Sequence, residues 1–466
     1  MNPQTQTGKK QSIKAARLEA AVSRRGLIGA EVAKLAVAAY PESLLSIILT
    51  GSLARDEATW AGEGSRSVAL GDAEFMLVFR EGTRLPRCTD LEALQERVES
   101  ALNQRGVTCS VSLNAVSPDY FRKLPPHIFT YELRTCGRVV WGDHNVVSLV
   151  PAFAVSDILR EDAWRLLANR MIEQLACHAA DPQAEPIGET PGLGKDRRGR
   201  TPYRLAKLYL DMATSFLVFA GAYEPTYRGR AQRLRELAGR CTGDVLTVAS
   251  SSATGSLPFP LRDFADRVSD FTRFKIGEAG CPIDDEIPAP TRSLVESAWD
   301  YARLLWRWEL NLLVTSKTDP PDPSLESALP HDDSALIESL MRCQTIRERL
   351  RGWLYVVRAS GWLCAWRFWP RWVRLGRRGS PRYCVYRAAS ELAVALPGIL
   401  KAQSAGPIPG TTGAAPTSEA HDLDADGVCS WLPLVPESTG TGIDQARLLA
   451  QAVLWNYDRF LKGTRA

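Results

Sequence analysis

Short apolar runs alternate with helical periodicity through the first third of the chain. Four runs have the length or alternation of strands: Leu44–Leu49, Val68–Phe79, Val107–Val116 and Arg138–Trp141. Residues 12–40 and 91–104 instead carry apolar side chains at helical spacing. The pattern predicts an α+β fold in which residues 1–150 form a domain around a small mixed sheet.

Beyond residue 150 the helical period dominates, and the chain reads as a mostly helical C-terminal half. Residues 151–320 predict a helical domain, and residues 321–402 predict a further helical region rich in Arg and Trp. Residues 403–442 are rich in Gly, Pro, Ser and Thr, which is typical of a flexible linker. Residues 443–466 predict a closing amphipathic helix.

Two carboxylates, Asp72 and Glu74, lie one residue apart in the second predicted strand. Side chains alternate along a strand, so both share one face, where like charges repel each other unless a cation lies between them. The alternative is a solvated strand end, but the following run Phe75–Phe79 indicates burial on both faces. Upstream, Gly51-Ser52 follows the preceding strand, where backbone N–H groups at a helix start bind phosphate. These residues together predict a metal and phosphate site for nucleotidyl transfer.

The order strand, Gly-Ser turn, acid-x-acid strand, helix and third strand resembles the polymerase-β-like nucleotidyltransferase superfamily, especially its bacterial small-substrate members. The resemblance covers roughly residues 30–145. It implies a small mixed sheet with helices on one face. It also implies that Gly51 and Ser52 hold the β- and γ-phosphates of a nucleoside triphosphate such as ATP, and that Asp72 and Glu74 coordinate Mg²⁺. A substrate hydroxyl would attack the α-phosphorus and release pyrophosphate.

The chain departs from the family pattern most seriously at a third acid, which the family carries on the next strand. Here Ser110 or Ser112 occupies the expected position. A base supplied by Glu132, Asp143 or the helical half would restore the catalytic set. Otherwise the fold is expected to bind a nucleotide, or to act as a scaffold, without turnover.

The helical half offers further candidates for nucleotide binding. Lys207 and Asp211 lie on one stripe of a predicted helix, where Lys207 is expected to reach a triphosphate and Asp211 to serve as a base. A surface ion pair is the alternative for these two. Tyr227 and Arg230 lie in a short aromatic and basic turn, where they are expected to stack on a base and meet a phosphate. A basic helix start on the surface is the alternative there.

Formal charge is +4, and no basic groove flanks the predicted site, so a small molecule or a protein side chain is expected as the acceptor rather than a nucleic acid. Charge is concentrated between Arg342 and Arg387, where twelve arginines and one glutamate give +11. Within 351–378, a helical wheel separates a Trp face from an Arg face, which predicts peripheral membrane contact or stacking on single-stranded RNA. The interpretation favoured from sequence is that the Trp face packs against neighbouring helices. Pro370 predicts a break in this helix.

The ten cysteines are dispersed, and no CxxC pair occurs. Such thiols are typical of a reduced protein. The N-terminus lacks the apolar core of a signal peptide, so a cytoplasmic location is expected.

Overall fold

The computed structural model of the protein describes residues 23–61, 67–179, 200–240, 259–280, 288–317, 333–404, 424–435 and 442–461. The chain folds into two compact units. Unit 1 comprises Met1–Ala163 and Glu189–Thr291, and unit 2 comprises Trp164–Gly188 and Arg292–Ala466. Each unit therefore draws on two separate stretches of sequence.

Unit 1 contains all strands of the described residues. They are β1 (Leu44–Thr50), β2 (Trp60–Ala61), β3 (Ser67–Ala69), β4 (Ala73–Phe79), β5 (Val107–Thr108), β6 (Val111–Val116) and β7 (Arg138–Gly142). Its helices are α1 (residues 23–39), α2 (Gly51–Ala54), α3 (Cys88–Gln104), α4 (Pro118–Arg122), α5 (Ile128–Cys136), α7 (Arg200–Phe219), α8 (Tyr227–Arg240) and α9 (Leu261–Lys275). Helix α6 (Arg160–Ala179) begins in unit 1 and continues in unit 2.

The main sheet has four strands in the order β6-β4-β1-β7. Strand β1 pairs antiparallel with β4 and β7, whereas β4 pairs parallel with β6, so the sheet is mixed. A second sheet of three short strands has the order β2-β3-β5. The predicted mixed α+β architecture is confirmed, and all four predicted strand regions contain strands.

Helices cover both faces of the main sheet, whereas the family resemblance implied helices on one face. Side chains of α1 and α3 pack with Phe75, Leu77 and Phe79 on one side. Residues of α4, α5 and the 3₁₀ turn His144–Leu149 pack with Met76 and Val78 on the other. Because every residue of Phe75–Phe79 is apolar, both faces of β4 require cover, as the sequence predicted.

The secondary structure of unit 2, within its described residues, is entirely helical. Its helices are the rest of α6, α10 (Pro288–Lys317, whose first turn belongs to unit 1), α11 (Asp333–Cys343), α12 (Ile346–Ser360), α13 (Trp362–Arg378), α14 (Pro381–Ser404), α15 (Ala425–Trp431) and α16 (Gly442–Phe460). Trp164 lies fully buried among Trp306, Tyr383 and Tyr386, with ring centroids 5.1–5.6 Å from its own. Among the described residues, no helix combines the length and hydropathy needed to cross a membrane.

Two sequence predictions for this unit need correction. Part of the predicted linker 403–442 is folded, because α15 buries Val428, Cys429 and Trp431. Residues 405–423 and 436–441 of that linker lie outside the described residues. The break predicted at Pro370 is absent, and α13 runs through it. Pro370 has no N–H and cannot donate the helical hydrogen bond to the carbonyl of Trp366. Both residues are exposed, so water can replace that bond.

Candidate functional site

The Gly-Ser corner and the acidic couplet meet at one end of the main sheet. Thr50, the last residue of β1, pairs with Glu74 on β4, and the Thr50 hydroxyl donates to the Glu74 carbonyl at 3.3 Å. Gly51 follows at a φ of +70°, in the left-handed region that favours glycine. A Cβ atom placed on Gly51 would lie 3.3 Å from the carboxyl carbon of Glu74. The backbone therefore approaches this carboxylate as closely as a glycine permits.

Asp72 lies just before β4 and is exposed, whereas Glu74 is half-buried. Because the two residues are two positions apart, extended backbone places their side chains on the same face. The charge of Asp72 also reaches Cys109, where burial, and to a smaller degree this carboxylate, raise the pKa of the thiol to about 12. The couplet thus has an open side at Asp72 and a shielded side at Glu74.

Strand β6 places Ser112 directly beside Glu74 in the parallel register. Paired residues of neighbouring strands point to the same face, so Ser112 stands where the resemblance calls for a third acid. Ser110 is displaced from this position, and its hydroxyl contacts Glu99 on α3 at 3.4 Å. Within the part of the chain that the structure describes, no group of three His, Cys, Asp or Glu side chains is arranged to hold a metal ion.

The replacement bases considered from the sequence do not fill this position. Asp143 follows Gly142, which pairs with Ser46 at the opposite end of β1, about 13 Å along the strand from Thr50. The Asp143 carboxylate instead accepts the backbone N–H of Asn145 at 2.9 Å. It is a cap for a 3₁₀ turn.

Glu132 is the centre of a buried ion network. It binds Arg55 at 2.6 Å, the Tyr223 hydroxyl at 2.5 Å, and Arg230. Burial by itself would raise the pKa of Glu132, but Arg55 and then Arg230 outweigh it, and its pKa is lowered. A carboxylate held ionised between two guanidinium groups is a structural anion and a poor general base.

Arg230 is 3% exposed, and its guanidinium is surrounded by protein acceptors. It donates to the Thr214 hydroxyl at 2.8 Å and to the carbonyls of Glu224 and Pro225 at 2.8 and 3.0 Å, besides binding Glu132. The phosphate contact expected of Arg230 is therefore replaced by a role inside the fold.

Tyr227 lies between two guanidinium groups. The guanidinium carbons (Cζ) of Arg55 and Arg230 lie 5.1 and 5.2 Å from the Tyr227 ring centroid, in cation–π contact. The backbone N–H groups of Tyr227 and Arg228 donate to the buried carboxylate of Glu57, at 2.9 and 3.1 Å, which caps α8. Because Arg55 and Glu57 follow α2 directly, this network fixes the segment just beyond the Gly-Ser corner.

The stripe predicted on α7 begins with Tyr203, and this residue lies at the end of the main sheet that carries the acidic couplet. The Tyr203 hydroxyl lies 3.1 Å from the position of a Cβ on Gly71, next to Asp72. Lys207, one turn on, has its ammonium 5.1 Å from the Tyr203 ring centroid. Asp211, a further turn on, is close enough to Tyr227 to raise the pKa of that phenol, although burial has the larger effect.

Lys275 is a site residue that sequence reasoning missed. It is 2% exposed at the end of α9, and its ammonium donates to the Thr59 hydroxyl at 2.8 Å and the Tyr203 hydroxyl at 3.1 Å. The signal was present in the sequence, because Lys275 continues the apolar face of α9 that includes Val268 and Phe271. Two lysines therefore flank the ring of Tyr203 beside the acidic couplet.

In comparison with known proteins, no family model matches the chain, and no curated protein or solved structure matches it significantly.

Proposed function

We propose that this protein is an Mg²⁺-dependent nucleotidyltransferase of the polymerase-β-like type, which transfers a nucleoside monophosphate from a nucleoside triphosphate to a hydroxyl group. The acceptor is a small molecule or a protein side chain. The observation that carries the proposal is the close approach of Gly51 to the Glu74 carboxylate, with Asp72 open beside it. Phosphate-binding backbone and metal-binding acids then share one corner of the sheet.

The donor set of this corner suits magnesium. Mg²⁺ is held by one or two carboxylates together with substrate phosphates and water, so Asp72 and Glu74 would hold it without a third protein acid. The bound ion would neutralise charge on the phosphates. Gly51 would bring the backbone close to a bound phosphate, and Ser52 would contribute its N–H and hydroxyl as donors.

Positive charge beside the couplet supports the same proposal. The Lys207 ammonium lies 5.1 Å from the Tyr203 ring centroid, and the Tyr203 hydroxyl reaches the chain at Gly71. Lys275 is buried and holds the Tyr203 hydroxyl in place. A triphosphate held between the Lys207 ammonium and the acids would be oriented for attack at the α-phosphorus. The acceptor oxygen bonds to that phosphorus as the bond to the pyrophosphate oxygen breaks, and the hydroxyl proton leaves to water.

The test compares the native protein with a double variant that carries both Asp72→Asn and Glu74→Gln. Incubation with labelled nucleoside triphosphate, Mg²⁺ and a panel of hydroxyl-bearing small molecules and proteins should release pyrophosphate with the native protein and not with the variant. Binding is measured separately, as the rise in unfolding temperature that Mg²⁺ and triphosphate together produce, which the variant should lose. Glu92→Gln is the matched control, because it removes one exposed carboxylate from α3 on the same domain. Unchanged turnover in the double variant contradicts the proposal.

A second candidate is a nucleotide-binding or scaffold protein without turnover on the same fold. Ser112 beside Glu74 favours it, because the position of a third acid carries a hydroxyl. This candidate predicts that the metal-dependent rise in unfolding temperature occurs without pyrophosphate release from any acceptor tested. Transfer of label from the triphosphate to an acceptor rules it out.

A further inference from the structure

Helix α13 exposes large apolar side chains that the packing interpretation placed inside. Trp366, Trp369 and Val373 are 81%, 55% and 39% exposed. Their spacing of three and then four residues puts them on one face of the helix. That interpretation is therefore wrong for Trp366 and Trp369, and large exposed apolar faces of this kind mark interaction sites.

Two other tryptophans of the same segment show what packing inside the unit looks like. Trp353 and Trp372 are 9% and 3% exposed, and their ring centroids are 6.2 Å apart. Their indole N–H groups donate to the carbonyls of Gly379 and Pro433, each at 2.9 Å. Helices α12 and α13 thus form a hairpin whose contact is already complete without Trp366 and Trp369.

Helix α12 carries a second exposed apolar row. Ile346, Leu350 and Leu354 follow one another at intervals of four residues and are 76%, 59% and 58% exposed. Aliphatic side chains gain free energy by leaving water for a hydrocarbon phase, but they offer no ring for a nucleobase to stack on. This composition favours lipid over single-stranded RNA as the occupant.

Charge identifies the kind of lipid. Arg374 and Arg377 are exposed on α13 and border its apolar face, and the segment Arg342–Arg387 carries +11 with Glu348 as its one acid. Arg371, by contrast, is used within the fold, where it donates to the carbonyls of Leu432 (2.7 Å) and Cys429. Arginines beside interfacial tryptophans are the arrangement that anionic headgroups attract.

We propose that the hairpin α12–α13 is a membrane-surface contact that binds anionic phospholipid bilayers. Trp366 and Trp369 enter the interface between headgroups and acyl chains, and Arg374 and Arg377 contact the headgroup phosphates. The contact is peripheral, since each helix lays one face on the bilayer. It places the protein at an anionic surface independently of what unit 1 catalyses.

The experiment is co-sedimentation of the full chain with vesicles of phosphatidylcholine alone or with added phosphatidylserine. The native protein should bind the anionic vesicles and bind the neutral ones far more weakly. Trp366→Ala with Trp369→Ala should weaken binding by about tenfold or more, and Arg374→Gln with Arg377→Gln by about 30-fold. Trp455→Ala is the matched control, because Trp455 is 48% exposed on α16 and should leave binding unchanged.

Three results would overturn the assignment. They are equal binding to neutral and anionic vesicles, binding that survives the paired Trp substitutions, and the absence of binding to either vesicle. If neither vesicle binds, two parallel measurements identify what covers the apolar face of the hairpin. They are titration with a single-stranded RNA homopolymer and determination of the molar mass in solution. RNA binding or self-association that depends on Trp366 and Trp369, with no vesicle binding, replaces lipid by RNA or by a second copy of the chain.

Discussion

Gly51 has two separate reasons to be glycine. Its φ of +70° is costly for other residues, by about 1–2 kcal/mol. Its missing side chain also leaves room for the Glu74 carboxylate, whose carbon lies 3.3 Å from the position that a Cβ would take. The first property concerns stability and the second concerns the proposed site, so the two can be separated by substitution.

We predict that Gly51→Ala lowers the free energy of unfolding by about 1–2 kcal/mol and also abolishes the binding of Mg²⁺ and triphosphate. The new methyl group would stand 3.3 Å from the carboxyl carbon of Glu74 and would displace the carboxylate that the proposal assigns to Mg²⁺. Urea denaturation measures the first effect, and the ligand-induced rise in unfolding temperature measures the second.

Gly82→Ala is the control for this prediction. Gly82 has a φ of +78°, yet nothing lies within 4 Å of its Cβ position. It should show the same loss of stability with ligand binding intact. If Gly51→Ala and Gly82→Ala both bind Mg²⁺ and triphosphate like the native protein, Gly51 is not part of a phosphate site.

At the scale of elements, the network around Glu132 joins the end of α2 to α5 and α8. Arg55 follows α2, Glu132 lies on α5 and Arg230 lies on α8. In the sequence, Glu132 was a candidate base and Arg230 a candidate phosphate contact. Their convergence on Arg55 instead fixes the segment that follows the Gly-Ser corner.

We predict that Glu132→Gln lowers the free energy of unfolding at pH 7 by about 3 kcal/mol, because it leaves two buried guanidinium groups without their anion. The folded state lowers the pKa of Glu132, so its stabilising effect is complete above the unfolded value of 4.5. As pH falls through the lower folded pKa, the native carboxylate protonates and this stabilisation is lost. Urea denaturation at a series of pH values should therefore show the native and variant curves converging in acid.

Glu236→Gln provides the matched comparison. Glu236 also has a lowered pKa, caused by Arg233 and then Gln232, but it is exposed on α8. Its substitution should leave stability nearly unchanged at pH 7. A loss from Glu132→Gln that is equally small, or that does not diminish in acid, would mean that the network does not stabilise unit 1.

At the scale of the whole molecule, two units share one chain that passes between them. Trp164 begins the first stretch of unit 2 and is fully buried in its aromatic cluster. Phe75, on β4 of the main sheet, is fully buried in the core of unit 1. The two side chains therefore probe the two cores separately.

We predict that Trp164→Ala lowers the free energy of unfolding by about 3–5 kcal/mol and that this loss of stability is confined to unit 2. Hydrogen exchange measured by mass spectrometry should show faster exchange in α10 and α14, with β1 and β4 still protected. Phe75→Ala should give the reverse pattern. Equal loss of protection in both units from either variant would contradict independent cores.

The sequence by itself determined the elements and the chemistry of the corner. Apolar runs predicted the strands and helical spacing predicted the helices, because alternation and period are local properties of the chain. The positions of Asp72 and Glu74 on one strand face follow from the same alternation. Lys275 could have been found in this way too, as a lysine on the apolar face of its helix.

Only the tertiary structure decided which distant residues meet. The antiparallel register of β1 and β4 puts Gly51 against Glu74, and the parallel register of β6 puts Ser112 beside them. The pairing of Glu132 with Arg55 and Arg230 removed two candidates from the site, Glu132 as a base and Arg230 as a phosphate ligand. Such partners are separated by 20 to 100 positions or more, and no local pattern specifies their contact. Exposure of Trp366 and Trp369 belongs here as well, because burial of a helix face depends on which neighbours cover it.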